Sequence, residues 1–330
     1  MLIPYRICLM KSNIKVVKTT RLFKPVSGAL KRSVITEYVQ IYSLLLPIGI
    51  LLFIFCYIPM YGLVIAFQDY FPGNPFIGKG VKWVGLKFFV EFTQGEYFLR
   101  LIRNTLVLSG YNLVFGFTLP ILFALLLDQV RNMPFRRFVQ TASYLPYFIS
   151  TVVVAGMVIS FIDSHGLITR FLTLFGGQPS TNYRLIKSSF PFLYSVTNVW
   201  KHFGFNSILY FSTITSIDQG LYESARIDGA NRFQQVLYIT LPGIQRIIAI
   251  NLIMAVGHIL GTNTDLILLL YHPATYETAD VIGTYVYRQG IDGGLYSYSA
   301  AVGLFMSVFA FGLTYTANRI SNKLTDYGLW

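Results

Sequence analysis

Two long apolar segments of the chain carry polar side chains at helical spacing. The sets are Asn198, His202 and Asn206 in segment 192–214, and Asn251, His258, Thr262 and Asp265 in segment 244–270. Their intervals of three, four and seven residues predict that each set lies along one face of a helix. Amide, imidazole and carboxyl groups can hydrogen-bond the hydroxyl groups of a solute, and an aromatic ring can stack on a sugar ring.

These polar sets have two interpretations. Polar groups are costly in hydrocarbon, so each set is expected to face the interior of a helical bundle or a water-filled path. Trp200, Lys201, Tyr210 and Asn263 stand beside the two sets and complete a candidate path for a hydroxyl-rich solute. The alternative is that the same groups only hydrogen-bond between helices and contact no ligand.

Other chemistry has little support in the sequence. Neither H-E-x-x-H nor G-x-S-x-G occurs, and we expect no catalytic residue and no metal site. Segment 73–80 reads GNPFIGKG, which ends in Gly80 where the phosphate-binding loop needs a Ser or Thr hydroxyl for magnesium. ATP, if the protein uses it, must therefore be bound by another chain.

A charged stretch separates the two polar segments. It runs from residue 222 to 244, and its apolar residues follow two short helical patterns that meet at Gly229. Gly allows the left-handed turn that ends a helix, and Pro242 suits the first turn of the next one. We predict two short surface helices at an angle, followed by a membrane span. The charged side chains are Glu223, Arg226, Asp228 and Arg232.

The composition is that of a membrane protein. Of 330 residues, 54% are hydrophobic and only 12% are charged, about half the charge of a soluble domain. Recurring apolar runs of membrane-spanning length predict an all-α polytopic protein. The net charge of +12 is explained by basic loops that face anionic lipid, and we expect no nucleic-acid partner.

The apolar runs predict six spans. They cover residues 41–67, 105–127, 141–162, 192–214, 244–270 and 298–316, and an amphipathic piece, 87–103, precedes the second. The predicted organisation is a basic arm (1–36), one six-helix membrane domain (37–320) that includes the charged loop 218–243, and a short tail (321–330). Of 26 Lys and Arg residues, 16 fall in the inner segments, eight of them in the arm. Both termini and the charged loop are therefore predicted to be cytoplasmic.

The charged loop resembles the "EAA" loop of permease subunits in binding-protein-dependent ABC importers. That pattern is E-A-A, then D-G-A, then a hydrophobic interval that ends in L-P. This chain has Glu223-Ser224-Ala225, Asp228-Gly229-Ala230 and Leu241-Pro242. Ser224 departs from the usual Ala, but both residues are small enough for close packing.

Most of the chain after residue 35 shares this resemblance. Within the family, the chain is similar to the sugar permeases of the MalF/MalG type, and in particular to their LplB-like oligo- and polysaccharide branch. The segments that carry the likeness are 57–70, 84–89, 103–109, 140–150, 199–210 and 276–291.

The resemblance implies a type I ABC importer permease fold in a bacterial cytoplasmic membrane. It implies a heterodimer with a second permease, two cytoplasmic ATPases that hold ATP and Mg, and an extracytoplasmic solute-binding protein that delivers an oligosaccharide or polysaccharide. No cofactor is expected on this chain. The short helix of the charged loop would be the coupling helix that contacts an ATPase. The residues carried over to this role are Glu223, Ala225, Asp228, Gly229, Ala230, Leu241 and Pro242.

Two other classes of function would require different features in the sequence. A secondary transporter driven by an ion gradient would show inverted repeats and broken helices at the membrane midplane, but the sequence has no visible duplication. A membrane-embedded enzyme would need a nucleophile with a base, or a metal cluster, within its spans. The ATP-driven importer is therefore the preferred hypothesis.

Overall fold

The structure, a computed structural model, describes residues 28–176, 182–325 and 328–329. Regular secondary structure in these ranges is helical, with a single isolated bridge between Gln68 and Trp83. The predicted all-α class is therefore confirmed. Residues 1–27 of the predicted arm, and 326, 327 and 330 of the predicted tail, lie outside the described residues.

The first of two compact units ends at Tyr61. It contains helix α1, Gly28–Leu52, followed by a π-helical turn, Phe53–Tyr57, and a helical turn, Ile58–Met60. Pro59 has no N–H to donate to the preceding turn, which accounts for the widened turn just before it. The stretch Thr36–Phe67 is long and apolar enough to cross a membrane.

The second unit runs from Gly62 to the end of the chain. Its first half contains α2 (Lys87–Gln94), α3 (Phe98–Asp128), α4 (Met133–Phe148), α5 (Thr151–Ile162), α6 (Leu167–Thr173) and α7 (Phe190–Thr215). Its second half contains α8 (Gln219–Ile227), α9 (Arg232–Gln235), α10 (Gln245–Gly257), α11 (Thr264–Leu270), α12 (Tyr276–Ala279), α13 (Ile282–Tyr287) and α14 (Tyr296–Thr325). Because α14 continues to Thr325, the helix extends past residue 321, where the tail was predicted to begin.

Helices α3 and α7 form the central pair of this unit, with α4 packed on α7 and α10 packed on α14. Three apolar clusters hold them together. One joins α3, α5, α7 and α11, a second joins α2, α3, α13 and α14, and a third joins α3 and α7 near Ile244. Because lipid tails are as apolar as these side chains, close packing rather than transfer from water stabilises the contacts.

Gly204 shows how close this packing is. A Cβ atom at this position of α7 would overlap the carbonyl group of Ser143 on α4. The two backbones therefore meet at a point where only Gly fits.

Two predicted helices are each interrupted. The amphipathic piece 87–103 is divided by an extended Gly95 that ends α2 before α3 begins. The predicted span 141–162 is divided at the extended Ile149 and at Ser150, which precedes α5. The Ser150 side chain accepts a hydrogen bond from the Val153 N–H (3.3 Å) and so caps α5.

The predicted continuous helix over 244–270 is wrong. Helix α10 ends at Gly257, and α11 begins only at Thr264. A Cβ atom at Gly257 would overlap Thr314 on α14, which shows how tightly the end of α10 packs. Asn263 then caps α11 by accepting a hydrogen bond from the Leu266 N–H (3.2 Å).

Within the described residues, four helical stretches are long and apolar enough to span a membrane. They are Thr36–Phe67, Phe98–Asp128, Thr151–Thr173 and Tyr296–Lys323. A fifth arises if the bent pair Arg232–Gly243 and Gln245–Gly257, which meet at 62°, is one span. Helix α7, with 26 residues, has the length of a span, but its polar residues keep it out of this set. The count of six spans therefore stays a prediction.

Candidate functional site

An open cavity of about 940 Å³ lies between α3, α7 and the end of α10. The break between α10 and α11 forms part of its wall through Gly261, Thr262 and Asn263. Membrane proteins tolerate irregular backbone where it lines a cavity rather than where it faces lipid, and this break lines the cavity.

Most residues of the predicted solute path line this cavity. The helix end at Gly257 means that the set from α10 does not share one helical face, so that part of the reasoning is wrong. The break nevertheless places His258, Thr262 and Asn263, which follow the end of α10, at the cavity beside α7. The predicted residues that line the cavity are Asn198, His202, Asn206, Tyr210, Asn251, His258, Thr262 and Asn263.

Three predicted path residues lie elsewhere. Trp200 lines a second, apolar groove of about 630 Å³ between α3 and α7. Lys201 is 6% exposed, and its Nζ donates a hydrogen bond to Thr151 Oγ1 (2.7 Å). Asp265 is an exposed residue in the first turn of α11. The structure does not bring these side chains to the cavity.

The residues of the cavity wall carry no formal charge if both histidines are neutral. Among the described residues that line it there is no Asp, Glu, Lys or Arg. His202 and His258 each donate an Nδ1–H to the backbone carbonyl of the residue four positions earlier, at 2.7 and 2.8 Å. In a neutral imidazole this leaves Nε2 as a hydrogen-bond acceptor. The wall can therefore bind a solute through hydrogen bonds and apolar contact rather than through ion pairs.

Sequence reasoning missed Asn112 and Tyr194. Asn112, on α3, lines the cavity and donates a hydrogen bond to the Tyr194 hydroxyl (3.2 Å). Tyr194, on α7, is fully buried. An isolated Asn inside the apolar run 105–127 was a signal for the first of these residues. Tyr194 gave no such signal, since a tyrosine in an apolar run is common.

The charged loop forms a compact turn between α8 and α9. Asp218 caps α8 by accepting a hydrogen bond from the Gly220 N–H (2.9 Å). Gly229 follows α8 with a φ of 79°, which an L side chain rarely adopts. The Ala230 N–H then donates to the Ala225 carbonyl (2.8 Å) and closes the helix end. Two helices therefore occupy the positions that the sequence predicted.

The second half of the loop is fixed just as firmly. Asn231 and Gln234 form a reciprocal capping box at the start of α9. Helix α9 continues through a π-helical turn, Val236–Thr240, into a turn that contains Leu241 and Pro242. The Tyr222 hydroxyl shares a hydrogen bond with Thr240 Oγ1 (3.0 Å), and burial raises the pKa of Tyr222. Tyr222 thereby ties α8 to the segment that leads into α10.

The outward surface of this loop combines acidic and apolar side chains. Glu223 and Asp228 are exposed, and Ala225 and Ala230 are half-buried beside them. Ile227 is 87% exposed and Phe233 is 75% exposed. A rigid backbone that presents apolar side chains and acids to solvent is typical of a docking surface.

A helical membrane chain with a polar cavity and a rigid exposed loop has the architecture of a transport permease component. A family model described as "Binding-protein-dependent transport system inner membrane component" matches residues 116–325. The chain belongs to this family and is a permease component of an ABC importer.

Three similar proteins are informative. The polygalacturonan/rhamnogalacturonan transport system permease protein YteP of Bacillus subtilis (strain 168) is 41% identical over 294 residues, 88% of this chain and 90% of that protein. Protein LplB of the same organism is 38% identical over 293 residues, 88% of this chain and 91% of that protein. A solved chain from a bacterial ABC transporter involved in the import of the acidic polysaccharide alginate is 42% identical, with a TM-score of 0.79, and the match covers 90% of this chain and 99% of that chain.

Proposed function

We propose that this permease forms part of a path for an acidic saccharide through a bacterial cytoplasmic membrane. The observation that carries the proposal is the amide-rich, uncharged cavity between α3, α7 and the break after α10. Amides can hydrogen-bond hydroxyl and carboxylate oxygens. The substrate class follows from the relatives, one named for polygalacturonan and one solved as part of an importer of alginate.

The assembly proposed for this function contains several other chains. A second permease completes the path, two cytoplasmic ATPases bind ATP and Mg, and an extracytoplasmic binding protein delivers the saccharide. A solved relative of this chain was crystallised with a periplasmic protein that holds an alginate pentasaccharide, which supports the last partner. The basic N-terminal residues favour cytoplasmic termini and a cytoplasmic α8–α9 loop.

The α8–α9 loop is the proposed contact for an ATPase. Glu223, Asp228 and the small residues Ala225, Gly229 and Ala230 would form the contact itself. Leu241 and Pro242 would join it to α10, which lines the cavity. The hydrogen-bonded turn supports this role, because a firm connection transmits a displacement better than a flexible loop. Closure of the ATPases would thus move α10 and change the access to the cavity.

Reconstitution tests the proposal. The complete importer is placed in vesicles with ATP and Mg inside the lumen and the binding protein on the opposite face, and uptake of a labelled oligogalacturonate is measured. Uptake is expected to require ATP and every partner chain. Uptake by this chain alone, driven by an ion gradient, would contradict the ATP-driven assignment. Uptake of neutral oligosaccharides in preference to the acidic one would contradict the proposed substrate class.

A further inference from the structure

Three asparagine side chains of the cavity wall, the buried Tyr194 hydroxyl and the Asn263 backbone N–H form a closed ring of hydrogen bonds. Asn263 Nδ2 donates to Asn198 Oδ1 (3.1 Å), and Asn198 Nδ2 donates to Asn112 Oδ1 (3.2 Å). Asn112 Nδ2 donates to the Tyr194 hydroxyl (3.2 Å), which also accepts from the Asn263 backbone N–H (3.0 Å). The ring therefore joins α3, α7 and the break between α10 and α11.

The ring holds the break in place. Asn263 is the last residue before α11, and its backbone N–H lies at a point where no helix supplies a partner. The Tyr194 hydroxyl accepts that N–H, while the Asn263 side chain caps α11 through the Leu266 N–H. A buried backbone N–H without a hydrogen-bond partner destabilises the fold, so this hydrogen bond favours the present position of the break.

The ring also orients the amides. Each of the three amide oxygens accepts a hydrogen bond, from Asn198, from Asn263 or from Leu266. Each amide nitrogen donates one of its two N–H groups within the ring. Among the described residues, the second N–H group of each amide makes no hydrogen bond. Asn112, Asn198 and Asn263 all line the cavity. The ring thus offers hydrogen-bond donors, which suit the carboxylate, hydroxyl and ether oxygens of a saccharide.

We propose that Asn112 and Tyr194 are positioning residues for saccharide transport. Asn112 Oδ1 accepts one N–H of Asn198, and the Tyr194 hydroxyl accepts the Asn263 backbone N–H. The two residues thereby orient Asn198 and Asn263 and fix the break of the helix on α3 and α7. This inference rests on the proposed function for its substrate. The competing interpretation is a hydrogen-bonded link between helices that stabilises the fold and has no effect on recognition.

A transport measurement separates the two interpretations. Tyr194→Phe removes one hydroxyl and leaves the ring of the side chain in place. Tyr111→Phe, one residue before Asn112 and exposed at the apolar groove, is the matched control. In the reconstituted importer, Tyr194→Phe and Asn112→Ala are each expected to raise the KM for oligogalacturonate about three- to ten-fold with less than a two-fold change in kcat. A fall in kcat or in the yield of folded importer at unchanged KM would overturn the proposal.

A second measurement does not depend on the substrate. Both cysteines of the chain, Cys8 and Cys56, are replaced by Ser, and Thr262→Cys places a single thiol in the break. Its reaction rate with a maleimide is expected to rise at least three-fold in Tyr194→Phe and to stay unchanged in Tyr111→Phe, because the freed break opens more often. Equal rates in both variants would show that the ring does not hold the break. If the parent importer fails to transport oligogalacturonate, the proposed substrate is wrong, while this rate still decides the role of the ring.

Discussion

Acidic residues have opposite surroundings in two regions of this chain. One region is the network around Asp280, between α12 and α13, and the other is the α8–α9 loop. Asp280 is fully buried and accepts two hydrogen bonds from Arg288 (3.1 and 2.7 Å) and one from Thr284 (2.8 Å). Arg100 of α3 approaches the same carboxylate at 3.5 Å. Both oxygens of the Asp280 carboxylate therefore have hydrogen-bond donors within the chain.

The α8–α9 loop uses the same residue types differently. Glu223 and Asp228 are exposed on a backbone that is itself held by caps, a glycine turn and the Tyr222–Thr240 hydrogen bond. Exposed Ile227 and Phe233 accompany them. The contrast separates two roles for charge in a membrane protein. Charges closed within the fold fix its local structure, whereas charges presented on a rigid surface are available to another chain.

The largest expected effect is on the closed network. Asp280→Ala leaves the partly exposed Arg288 and Arg100 without their carboxylate, and the loss of hydrogen bonds to a charged group costs about 1.5–3 kcal/mol. The free energy of unfolding of the purified chain in detergent is expected to fall by this amount. Asp292→Ala, which removes an exposed acid from the same segment, is the matched control and should change it by less than about 0.5 kcal/mol. Similar losses in both variants would show that burial of Asp280 is not what makes it important.

The open surface should show the reverse behaviour. Glu223→Ala and Asp228→Ala are expected to change the free energy of unfolding by less than about 0.5 kcal/mol, because both side chains are exposed. Uptake by the reconstituted importer is expected to fall about ten-fold, since ten-fold corresponds to the loss of about 1.4 kcal/mol at a protein contact. Gln245→Ala, an exposed residue at the start of α10, serves as the control. A large loss of stability without a selective loss of uptake would show that Glu223 and Asp228, like Asp280, stabilise the fold and do not bind a partner.

Gly229→Ala tests the rigid turn beneath that surface. The space around Gly229 is open, so the expected cost comes only from its φ of 79° and amounts to about 1 kcal/mol. Gly110→Ala on α3, where a Cβ also meets nothing within 4 Å and φ is not positive, is the control and should not destabilise the chain. The melting temperatures of the two variants provide the measurement. Equal values would mean that the left-handed turn carries no strain cost.

The two regions also differ in how far the sequence predicted them. The α8–α9 turn followed from local signals, namely Gly229, Pro242 and short helical periods. The cavity was predicted in part, because periodic polar residues identify a polar face wherever a helix exists. The end of α10 was not predictable, since it depends on packing against Thr314 and on partners such as Tyr194, 69 residues away from Asn263. Likewise, the burial of Asp280 depends on α3, whose Arg100 lies 180 residues earlier in the chain.

The smallest expected effect concerns an exposed counterpart of the Asp280 network. Glu277 Oε2 accepts a hydrogen bond from Lys187 Nζ (2.6 Å), and both side chains are more than half exposed. This hydrogen bond, with the charge of Lys187, lowers the pKa of Glu277. A lowered pKa in the folded state means that the pair stabilises the fold above the ordinary carboxyl pKa, and that this contribution is lost as the pH falls through the folded-state pKa. Glu277→Gln is therefore expected to lower the melting temperature slightly at pH 7 and to match the parent chain near pH 3. If the difference in melting temperature between Glu277→Gln and the parent chain grew as the pH fell, the stabilising role of the Lys187–Glu277 pair would be wrong. Exposure would then not distinguish this pair from the buried network around Asp280.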